Sequence, residues 1–307
     1  MINTMKGLVS IIIPTYGGGD CVERAVVSSL NQQYPHVEVI VVDDNGKDTQ
    51  NQIKTAEVLS DYIADGKIKY ICHEVNKNGS AARNTGVKAA IGEFVCLLDD
   101  DDIIAPDKIE RQVALLSSLT DDYAAVYCSH KTFLNDDLVE ELHVAKSGSL
   151  LYECLTHEIE VATSSLMIRK TAYDSIQGFD ESFRRHQDWE FVARLCAKYE
   201  IQADDFFGYT RILTMRNGPK SPEQAVKYRR YYIEKMQPLL ETFKPSTRKK
   251  IIYSNLLDAA LWYLKNKDIK GFVKEYRAIS PGFYGISFMI KRIGVILKRG
   301  KFVMVKS

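Results

Sequence analysis

The sequence has few of the features that mark a secreted, membrane-spanning or disulfide-linked protein. Its six cysteines never form a Cys-x-x-Cys pair, and most lie in apolar runs, so we expect buried free thiols in a reducing compartment. No apolar run reaches the roughly 18 residues that a membrane-spanning helix needs. The chain begins close to a strand-like run, without the apolar segment and cleavage site of a signal peptide, which predicts a cytoplasmic protein.

Several ligand-binding motifs are also missing. The histidines do not have the spacing of zinc ligands. Gly17-Gly-Gly19 is not followed by Gly-Lys-Ser or Gly-Lys-Thr, so we interpret it as a flexible turn and not as a P-loop. The tyrosine-rich, basic C-terminal part carries no signature of a nucleic-acid-binding module, so we expect no nucleic-acid partner.

Charge is divided unevenly along the chain. Residues 216–307 contain 21 Lys and Arg against 6 Asp and Glu, although the whole chain has a net charge of only +1. Such asymmetry indicates that the C-terminal part meets an anionic partner. We therefore predict a first domain over residues 1–215 and a basic helical region over residues 216–307.

The first two hundred residues alternate strand-like and helix-like patterns. This alternation predicts βαβ units, and hence an α/β fold with a mostly parallel central sheet. In such sheets ligands bind beyond the carboxyl ends of the strands. Tyr16, Asp43, Asp44 and the run Asp99–Asp102 each follow a strand-like run, so we expect them to gather at one edge of the sheet.

The C-terminal region is predicted to be helical near residues 222–242, 248–266, 268–279 and 283–299. In the last segment the apolar residues share one helical face, and basic residues lie on the other side. This pattern fits an amphipathic helix on an anionic membrane surface. A helix packed against its own domain would show the same pattern, so both interpretations stay open.

The segment Cys96-Leu-Leu-Asp99-Asp-Asp-Asp102 is the strongest local signal for chemistry. Four adjacent carboxylates repel one another unless a counter-charge is present. Mg²⁺ or Mn²⁺ would supply that charge, and both ions prefer oxygen ligands. The structural alternative is a solvated acidic loop that caps the helix after Pro106.

Five ordered motifs together resemble the inverting family 2 glycosyltransferases of the GT-A fold, over roughly residues 8–215. The motifs are Val9-Ser-Ile-Ile-Ile-Pro-Thr-Tyr16, Val39-Ile-Val-Val-Asp-Asp-Asn45, Ala81-Ala-Arg-Asn-Thr-Gly86, Gly92-Glu-Phe-Val-Cys-Leu-Leu-Asp-Asp-Asp-Asp102, and Gly178-Phe-Asp-Glu181 with Gln187-Asp-Trp-Glu190. The resemblance implies a GT-A domain, and the C-terminal helices are predicted from the sequence pattern alone. The last ninety residues show no such resemblance.

The resemblance also implies a role for each matching residue on the nucleotide side. Pro14, Thr15 and Tyr16 would line the nucleoside pocket, with Tyr16 stacking on the base. Asp44 would accept a hydrogen bond from the uracil imide, and Arg83 would approach the diphosphate or support the acidic loop.

The same resemblance implies the metal ligands and the catalytic base. Asp101 would contact Mn²⁺ or Mg²⁺ directly, while Asp99 or Asp100 would face the ribose or a metal-bound water. Asp188 would be the base that deprotonates the acceptor hydroxyl, although Gln187 stands where the family usually has Glu. A helix N-terminus at Asp188 would favour the ionised carboxylate, and the structural alternative is that Asp188 only caps that helix.

These roles predict transfer of a hexose or N-acetylhexosamine from a UDP-sugar to an acceptor hydroxyl with inversion. The acceptor would be a surface polysaccharide or a lipid-linked glycan, met at the inner face of the cell membrane. One alternative is a nucleotidyltransferase, although Gly17-Gly-Gly-Asp20 lacks the Arg and Lys that such enzymes use. Another is a catalytically dead GT-A scaffold. His186, Arg211 and Arg216 are weaker candidates for substrate contact, and arginines in such places are more often solvated.

Overall fold

The computed structural model describes residues 4–17, 19, 21–134, 136–213 and 221–279. Asp20, Arg216 and the predicted helix near 283–299 lie outside this part of the chain. Within it, nine strands form one sheet. They are Met5–Thr15 (β1), Val37–Asp43 (β2), Lys69–Cys72 (β3), Gly92–Leu97 (β4), Ile103–Ile104 (β5), Tyr123–Leu134 (β6), Asp137–Leu142 (β7), Leu166–Arg169 (β8) and Glu200–Ile212 (β9).

The sheet is mixed and mostly parallel, with the strand order β3-β2-β1-β4-β8-β6-β9-β5 and with β7 paired to β6. The strands β1, β2, β3, β4, β6 and β9 all run in one direction. The short β8 is antiparallel to both of its neighbours, β4 and β6. The predicted α/β class with a mostly parallel central sheet is therefore confirmed, and six carboxyl ends meet at one edge.

Twelve helices lie within the described residues. They are Val22–Leu30 (α1), Gln50–Val58 (α2), Ser60–Ala64 (α3), Gly79–Ala89 (α4), Lys108–Ser118 (α5), Leu151–Leu155 (α6), Lys170–Ser175 (α7), Gln187–Lys198 (α8), Pro222–Lys235 (α9), Gln237–Leu240 (α10), Pro245–Lys265 (α11) and Ile269–Ile279 (α12). None of these helices is long and apolar enough to cross a bilayer.

Helix α4 shows how local sequence sets the fold close to the strand ends. The Asn78 side chain caps the helix by accepting hydrogen bonds from the Ser80 and Ala81 N–H groups. Gly86 lies so close to Ile12 of β1 that any Cβ at this position would collide with the Ile12 side chain. The glycine therefore allows α4 to pack tightly over the middle of the sheet, with Arg83 and Asn84 one turn away from the contact.

The core of the sheet consists of β-branched and aromatic side chains. Val9, Ile11 and Ile13 of β1 are fully buried, together with Val39 and Val41 of β2. Removal of this apolar surface from water is the main stabilising contribution, at roughly 25 cal/mol per Å² buried. The strand ends are thereby fixed, and the polar residues that follow them are held in place.

The chain divides into two compact units by its internal contacts. The first comprises the described residues within 1–151 and 160–213, and the second those within 152–159 and 214–307. In the second unit, Asn255 of α11 accepts hydrogen bonds from Arg229 and pairs with His157, at 3.0 and 2.9 Å. Its amide donates to the Leu155 carbonyl at 2.7 Å. This buried network joins the 152–159 segment to α9 and α11.

All six cysteines are free thiols. Cys96, Cys128, Cys154 and Cys196 are buried, and burial raises the pKa of Cys128 to about 12. These four thiols are consequently poor nucleophiles and serve as small apolar side chains.

Candidate active site

Polar side chains converge where β1 and β4 end. Thr15, the last residue of β1, donates a hydrogen bond from Oγ1 to Asp100 Oδ2 at 2.6 Å. The next residue, Tyr16, keeps 62% of its surface exposed. An exposed aromatic ring beside an acidic loop is suited to stack on a nucleobase. Pro14, Thr15 and Tyr16 thus lie at the predicted edge of the sheet, and their nucleoside contacts stay predictions.

Asp44 lies at the end of β2 and is 2% exposed. Its carboxylate accepts hydrogen bonds from the Lys77 and Asn78 N–H groups and from the Asn76 amide, each at 2.8 Å. His73 Nδ1 lies 2.7 Å from the same carboxylate. This ring of partners holds the loop between β3 and α4 in place. The structure gives Asp44 a supporting role in the loop, and its contact with uracil stays a prediction.

Asp99 is the best-anchored residue of the acidic loop. Its Oδ1 accepts a hydrogen bond from Arg83 Nη2 at 2.6 Å, and its Oδ2 accepts one from Thr163 Oγ1 at 3.0 Å. The Asp99 N–H donates to Ser164 Oγ at 3.1 Å. These bonds fix the loop between α4 and the 3₁₀ turn Thr163–Ser165. The guanidinium of Arg83 also supplies part of the positive charge that the loop requires.

The four carboxylates of the loop occupy different environments. Asp99, Asp100 and Asp101 are half-buried, whereas Asp102 is 5% exposed. Burial raises the pKa of Asp102 well above its usual value, and the neighbouring charge of Asp99 adds to the increase. Protonation of Asp102 would relieve part of the repulsion in the loop. Asp99, Asp100 and Asp101 then remain as the partly exposed carboxylates of the loop.

The chemistry of this donor set fits Mn²⁺ or Mg²⁺. The described residues contain no cluster of three or more side chains able to enclose a metal by themselves. A Mg²⁺ ion that acts on a diphosphate usually takes only one or two protein carboxylates and completes its coordination with phosphate oxygens and water. Half-buried Asp101 and Asp99 suit that arrangement, in which the nucleotide brings the remaining ligands.

Arg83 links the acidic loop to α8. Its Nη1 donates to Gln187 Oε1 at 3.1 Å, while its Nη2 holds Asp99. The guanidinium also lies 5.4 Å from the centre of the Phe179 ring. Gln187 is the first residue of α8, and Asp188 is the second. Gln187 and Asp188 are about a hundred positions away in sequence from α4 and the acidic loop. The contacts of Arg83 bring Gln187 close to both.

Asp188 lies in the first turn of α8 and is half-buried. Withdrawal of the carboxyl group from water raises its pKa, and the charges of Asp99 and Glu160 act in the same direction. The Trp189 N–H and the charge of Arg83 partly oppose the increase. Asp188 therefore shares an electrostatic environment with the acidic loop. A carboxylate of raised pKa is a stronger base than one in bulk water.

Asn84 fastens the turn Gly178–Glu181 to α4. Asn84 Oδ1 accepts hydrogen bonds from the Tyr173 hydroxyl at 2.7 Å and from the Phe179 N–H at 2.9 Å. Its amide donates to the Phe179 carbonyl and to Glu181 Oε1, each at 2.9 Å. Arg83 therefore positions the acidic loop, and its neighbour Asn84 positions the turn that precedes α8.

Two residues in the region have surroundings that the sequence did not reveal. His186 precedes α8 with a left-handed φ of 60°, and its ring stacks on Trp189 with a centroid distance of 3.9 Å. Arg211, at the end of β9, forms an ion pair with Glu160 at 3.0 Å. Glu160 belongs to no sequence motif. Only its ion pair with an arginine fifty residues away marks it, and that pairing is visible in the structure alone.

Comparison with known proteins places these residues in a family. The sequence profile of glycosyl transferase family 2 matches residues 10–173, more than half of the chain. The amylovoran biosynthesis glycosyltransferase AmsB of Erwinia amylovora is 27% identical over 284 residues, which cover 84% of this chain and 91% of that protein. The WfgD protein of Escherichia coli, named a UDP-Glc:alpha-D-GlcNAc-diphosphoundecaprenol beta-1,3-glucosyltransferase, is 33% identical over 43% of this chain and 49% of its own length.

A solved structure shows the same fold. Residues 1–349 of S. aureus TarS, crystallised in complex with UDP-GlcNAc, match with a TM-score of 0.60 and cover 87% of this chain and 90% of that one. Sequence identity is 17%, so the likeness concerns the architecture alone. The predicted GT-A fold is confirmed.

Proposed function

The chain belongs to glycosyl transferase family 2, and we propose that it transfers a hexose or N-acetylhexosamine from a UDP-sugar to an acceptor hydroxyl with inversion. The observation that carries this proposal is the chain of contacts from Thr15 through the acidic loop and Arg83 to Gln187, the neighbour of Asp188. These contacts connect the edge of the sheet that we propose to bind the nucleotide with the helix that carries the proposed base, Asp188. Two comparisons support a UDP-sugar as the donor. TarS was crystallised in complex with UDP-GlcNAc, and the name of WfgD includes UDP-Glc.

The leaving group in this reaction is UDP, on which negative charge develops as the bond to the sugar breaks. Bound Mn²⁺ or Mg²⁺ would supply Lewis-acid stabilisation of that charge, with Asp101 and Asp99 as its protein ligands. Arg83 holds Asp99 in position and adds a permanent positive charge to the same region. Tyr16 would stack on the uracil, Thr15 and Asp100 would border the nucleoside, and Asp44 would support the loop beside it.

Asp188 would take the proton from the acceptor hydroxyl as that oxygen attacks the anomeric carbon. A positioned base contributes about 10²–10⁴-fold to such a step. In this proposal the base and the leaving diphosphate would lie on opposite sides of the reacting carbon, so a single displacement would invert its configuration. A second carboxylate would not be required as an acid, because bound Mn²⁺ or Mg²⁺ and Arg83 would stabilise the leaving group.

We further propose that the acceptor is a polysaccharide or a lipid-linked glycan and that the second unit binds an anionic membrane surface. The α12 helix exposes Ile269 and Val273, which keep 67% and 38% of their surface accessible. Lys270, Lys274 and Arg277 are exposed on the same side of the helix. Apolar and basic side chains that share one face suit the headgroup region of an anionic bilayer. The printed function of WfgD, which acts on a diphosphoundecaprenol-linked sugar, supports the acceptor.

Isothermal titration of the full chain with UDP, with and without Mn²⁺, tests the donor proposal. We expect binding that depends on the metal, and a loss of at least about tenfold in affinity for Asp101→Ala because a direct ligand is removed. The control is Glu110→Ala, which removes an exposed carboxylate in the first turn of α5, nine residues away, and should leave the affinity unchanged. Equal binding by wild type and Asp101→Ala would contradict the proposal.

A further inference from the structure

A half-buried ion pair lies near the acidic loop, close enough for the charge of Arg211 to interact with that of Asp102. Arg211 Nη1 lies 3.0 Å from Glu160 Oε1, and the two side chains keep 25% and 17% of their surface exposed. An ion pair in such a place adds little stability, because desolvation of both charges offsets their attraction. A charged pair retained beside a cleft with perturbed carboxylates is a candidate for a role in ligand binding.

Glu160 is held close to both the acidic loop and the base. It lies three residues before Thr163, which donates a hydrogen bond to Asp99, and four before Ser164, which accepts one from the Asp99 N–H. Its negative charge also contributes to the raised pKa of Asp188. Glu160 therefore lies close in sequence to residues that hold the acidic loop, and its charge helps to raise the pKa of Asp188.

Arg211 is fixed from its other side. Its Nη2 lies 3.2 Å from the Tyr209 hydroxyl, and the Tyr209 ring stacks on His130 with centroids 4.8 Å apart. Burial opposes the charge of Arg211, yet Tyr209, Glu160 and Asp102 together raise its pKa, so the guanidinium stays protonated. A permanently charged and clamped arginine holds the Glu160 carboxylate in one orientation, which is the arrangement expected of a preorganised binding residue.

We propose that Glu160, held by Arg211, accepts a hydrogen bond from a hydroxyl group of the sugar that is transferred. This inference rests on the proposed donor function. In a single displacement the sugar lies between the diphosphate, bound at the acidic loop, and the base Asp188. Glu160 precedes Thr163, which holds Asp99, by three residues, and its charge acts on Asp188, so a sugar between the diphosphate and the base would lie near this carboxylate. Gln187, next to Asp188, is neutral, and Glu160 is therefore our candidate for the carboxylate that binds a sugar hydroxyl there.

The test compares the affinity for UDP with the turnover of intact UDP-sugars. The variant is Glu160→Gln, which keeps the size of the side chain and weakens the acceptor. UDP release from UDP-glucose, UDP-galactose and UDP-N-acetylglucosamine is measured alongside titration with UDP and Mn²⁺. We expect an unchanged UDP affinity and a fall of about tenfold in kcat/KM for the preferred donor, since a charged acceptor is lost. The preference between UDP-glucose and UDP-galactose should also decrease.

The matched control is Asp204→Asn, which breaks another ion pair of β9. Arg111 Nη2 and Asp204 Oδ1 are also 3.0 Å apart. This control should leave both UDP affinity and sugar turnover at the wild-type level. A parallel loss of UDP affinity in Glu160→Gln would show that the pair only supports the acidic loop and would overturn the inference, as would wild-type turnover in that variant. Absence of UDP binding by the wild-type protein would instead refute the proposed function itself.

Discussion

Asp188, the proposed base, and its neighbour Gln187 show how single residues set the pKa of a carboxyl group. Asp188 has a raised pKa because it is withdrawn from water and lies near the charges of Asp99 and Glu160. Gln187 adds no further negative charge, and its side chain accepts a hydrogen bond from Arg83. The departure from the usual Glu therefore limits the pKa of Asp188 while the link to the acidic loop is retained.

This arrangement predicts the acid limb of the pH profile. Asp188 must be deprotonated to act, so kcat/KM for the donor should fall by about tenfold per pH unit below its pKa. Because the pKa is raised in the folded protein, the limb should lie above the ordinary Asp value of 3.8. In Gln187→Glu a second negative charge beside the base should raise the pKa further and move the limb to higher pH.

UDP affinity, measured over the same pH range, is the control for this profile. Titration of the carboxylates that we propose as metal ligands would change the affinity for UDP, whereas titration of Asp188 would not. The affinity measurement therefore distinguishes the two. An acid limb at the same pH in wild type and Gln187→Glu, with unchanged UDP affinity, would show that Asp188 is not the titrating group.

Some residues could be placed from sequence and others could not. Asp99–Asp102 and Tyr16 were located by one rule, that ligands bind beyond the carboxyl ends of parallel strands. The ion pair of Arg211 with Glu160 could not be placed, because Glu160 is distant in sequence and follows no strand signal. The dense set of donors around Asp44 was equally hidden, since it comes from a loop that begins thirty residues later.

At the scale of elements, α4 carries much of the construction of the site. Arg83 and Asn84 are adjacent, yet one anchors the acidic loop and the other anchors the turn that leads to α8. The helix can approach β1 closely because residue 86 is glycine. The contacts of this helix depend on tertiary packing, which the sequence alone does not reveal.

The strands with the strongest apolar patterns were predicted well, and the short ones were missed. The strand-like run that precedes Asp43 and Asp44 corresponds to β2. The strands β5 and β8 have two and four residues, too few for a pattern of their own. They form because longer strands offer unpaired backbone groups at their sides.

Helix α12 yields a prediction for membrane binding. The full chain should bind vesicles that contain phosphatidylglycerol more tightly than vesicles of phosphatidylcholine alone. Reversal of two exposed charges in Lys270→Glu/Lys274→Glu should weaken this binding by about tenfold or more, given roughly 1 kcal/mol for each basic residue near an anionic surface. Cosedimentation with the two kinds of vesicle measures the effect.

Lys249→Glu/Lys250→Glu in α11 is the matched control, because both side chains are exposed and the change in net charge is the same. These residues lie near the start of α11, away from the apolar Ile269 and Val273. A smaller loss in this control is expected. Equal losses in the two double variants would show that only net charge matters and that α12 forms no docking face.

At the scale of the whole molecule, the two units differ in charge and in chemistry. The first contains the acidic loop, Arg83 and Asp188, which together suit a metal-bound diphosphate and an acceptor hydroxyl. The second is rich in lysine and arginine and helical where it is described. The overall neutrality of the sequence conceals this division. The charge count along the chain shows the uneven charge, whereas the participation of residues 152–159 in the second unit depends on buried contacts such as that of His157 with Asn255.

The competing functions differ in what they require of the molecule. A nucleotidyltransferase would form a sugar nucleotide from UTP and a sugar phosphate, and Asp188 would have no task in that reaction. A catalytically dead scaffold would bind UDP without turning over a donor. Both alternatives predict that removal of the Asp188 carboxylate changes no transfer or hydrolysis of a UDP-sugar.

UDP release by Asp188→Asn, measured beside UDP binding by the same variant, tests the central claim most directly. Our account predicts that the variant binds UDP and Mn²⁺ as tightly as wild type, because Asp188 is not a nucleotide or metal ligand. It also predicts that UDP release from the preferred UDP-sugar falls by about 10²–10⁴-fold, since the base is lost. Wild-type rates of release in Asp188→Asn, with UDP binding intact, would contradict the account.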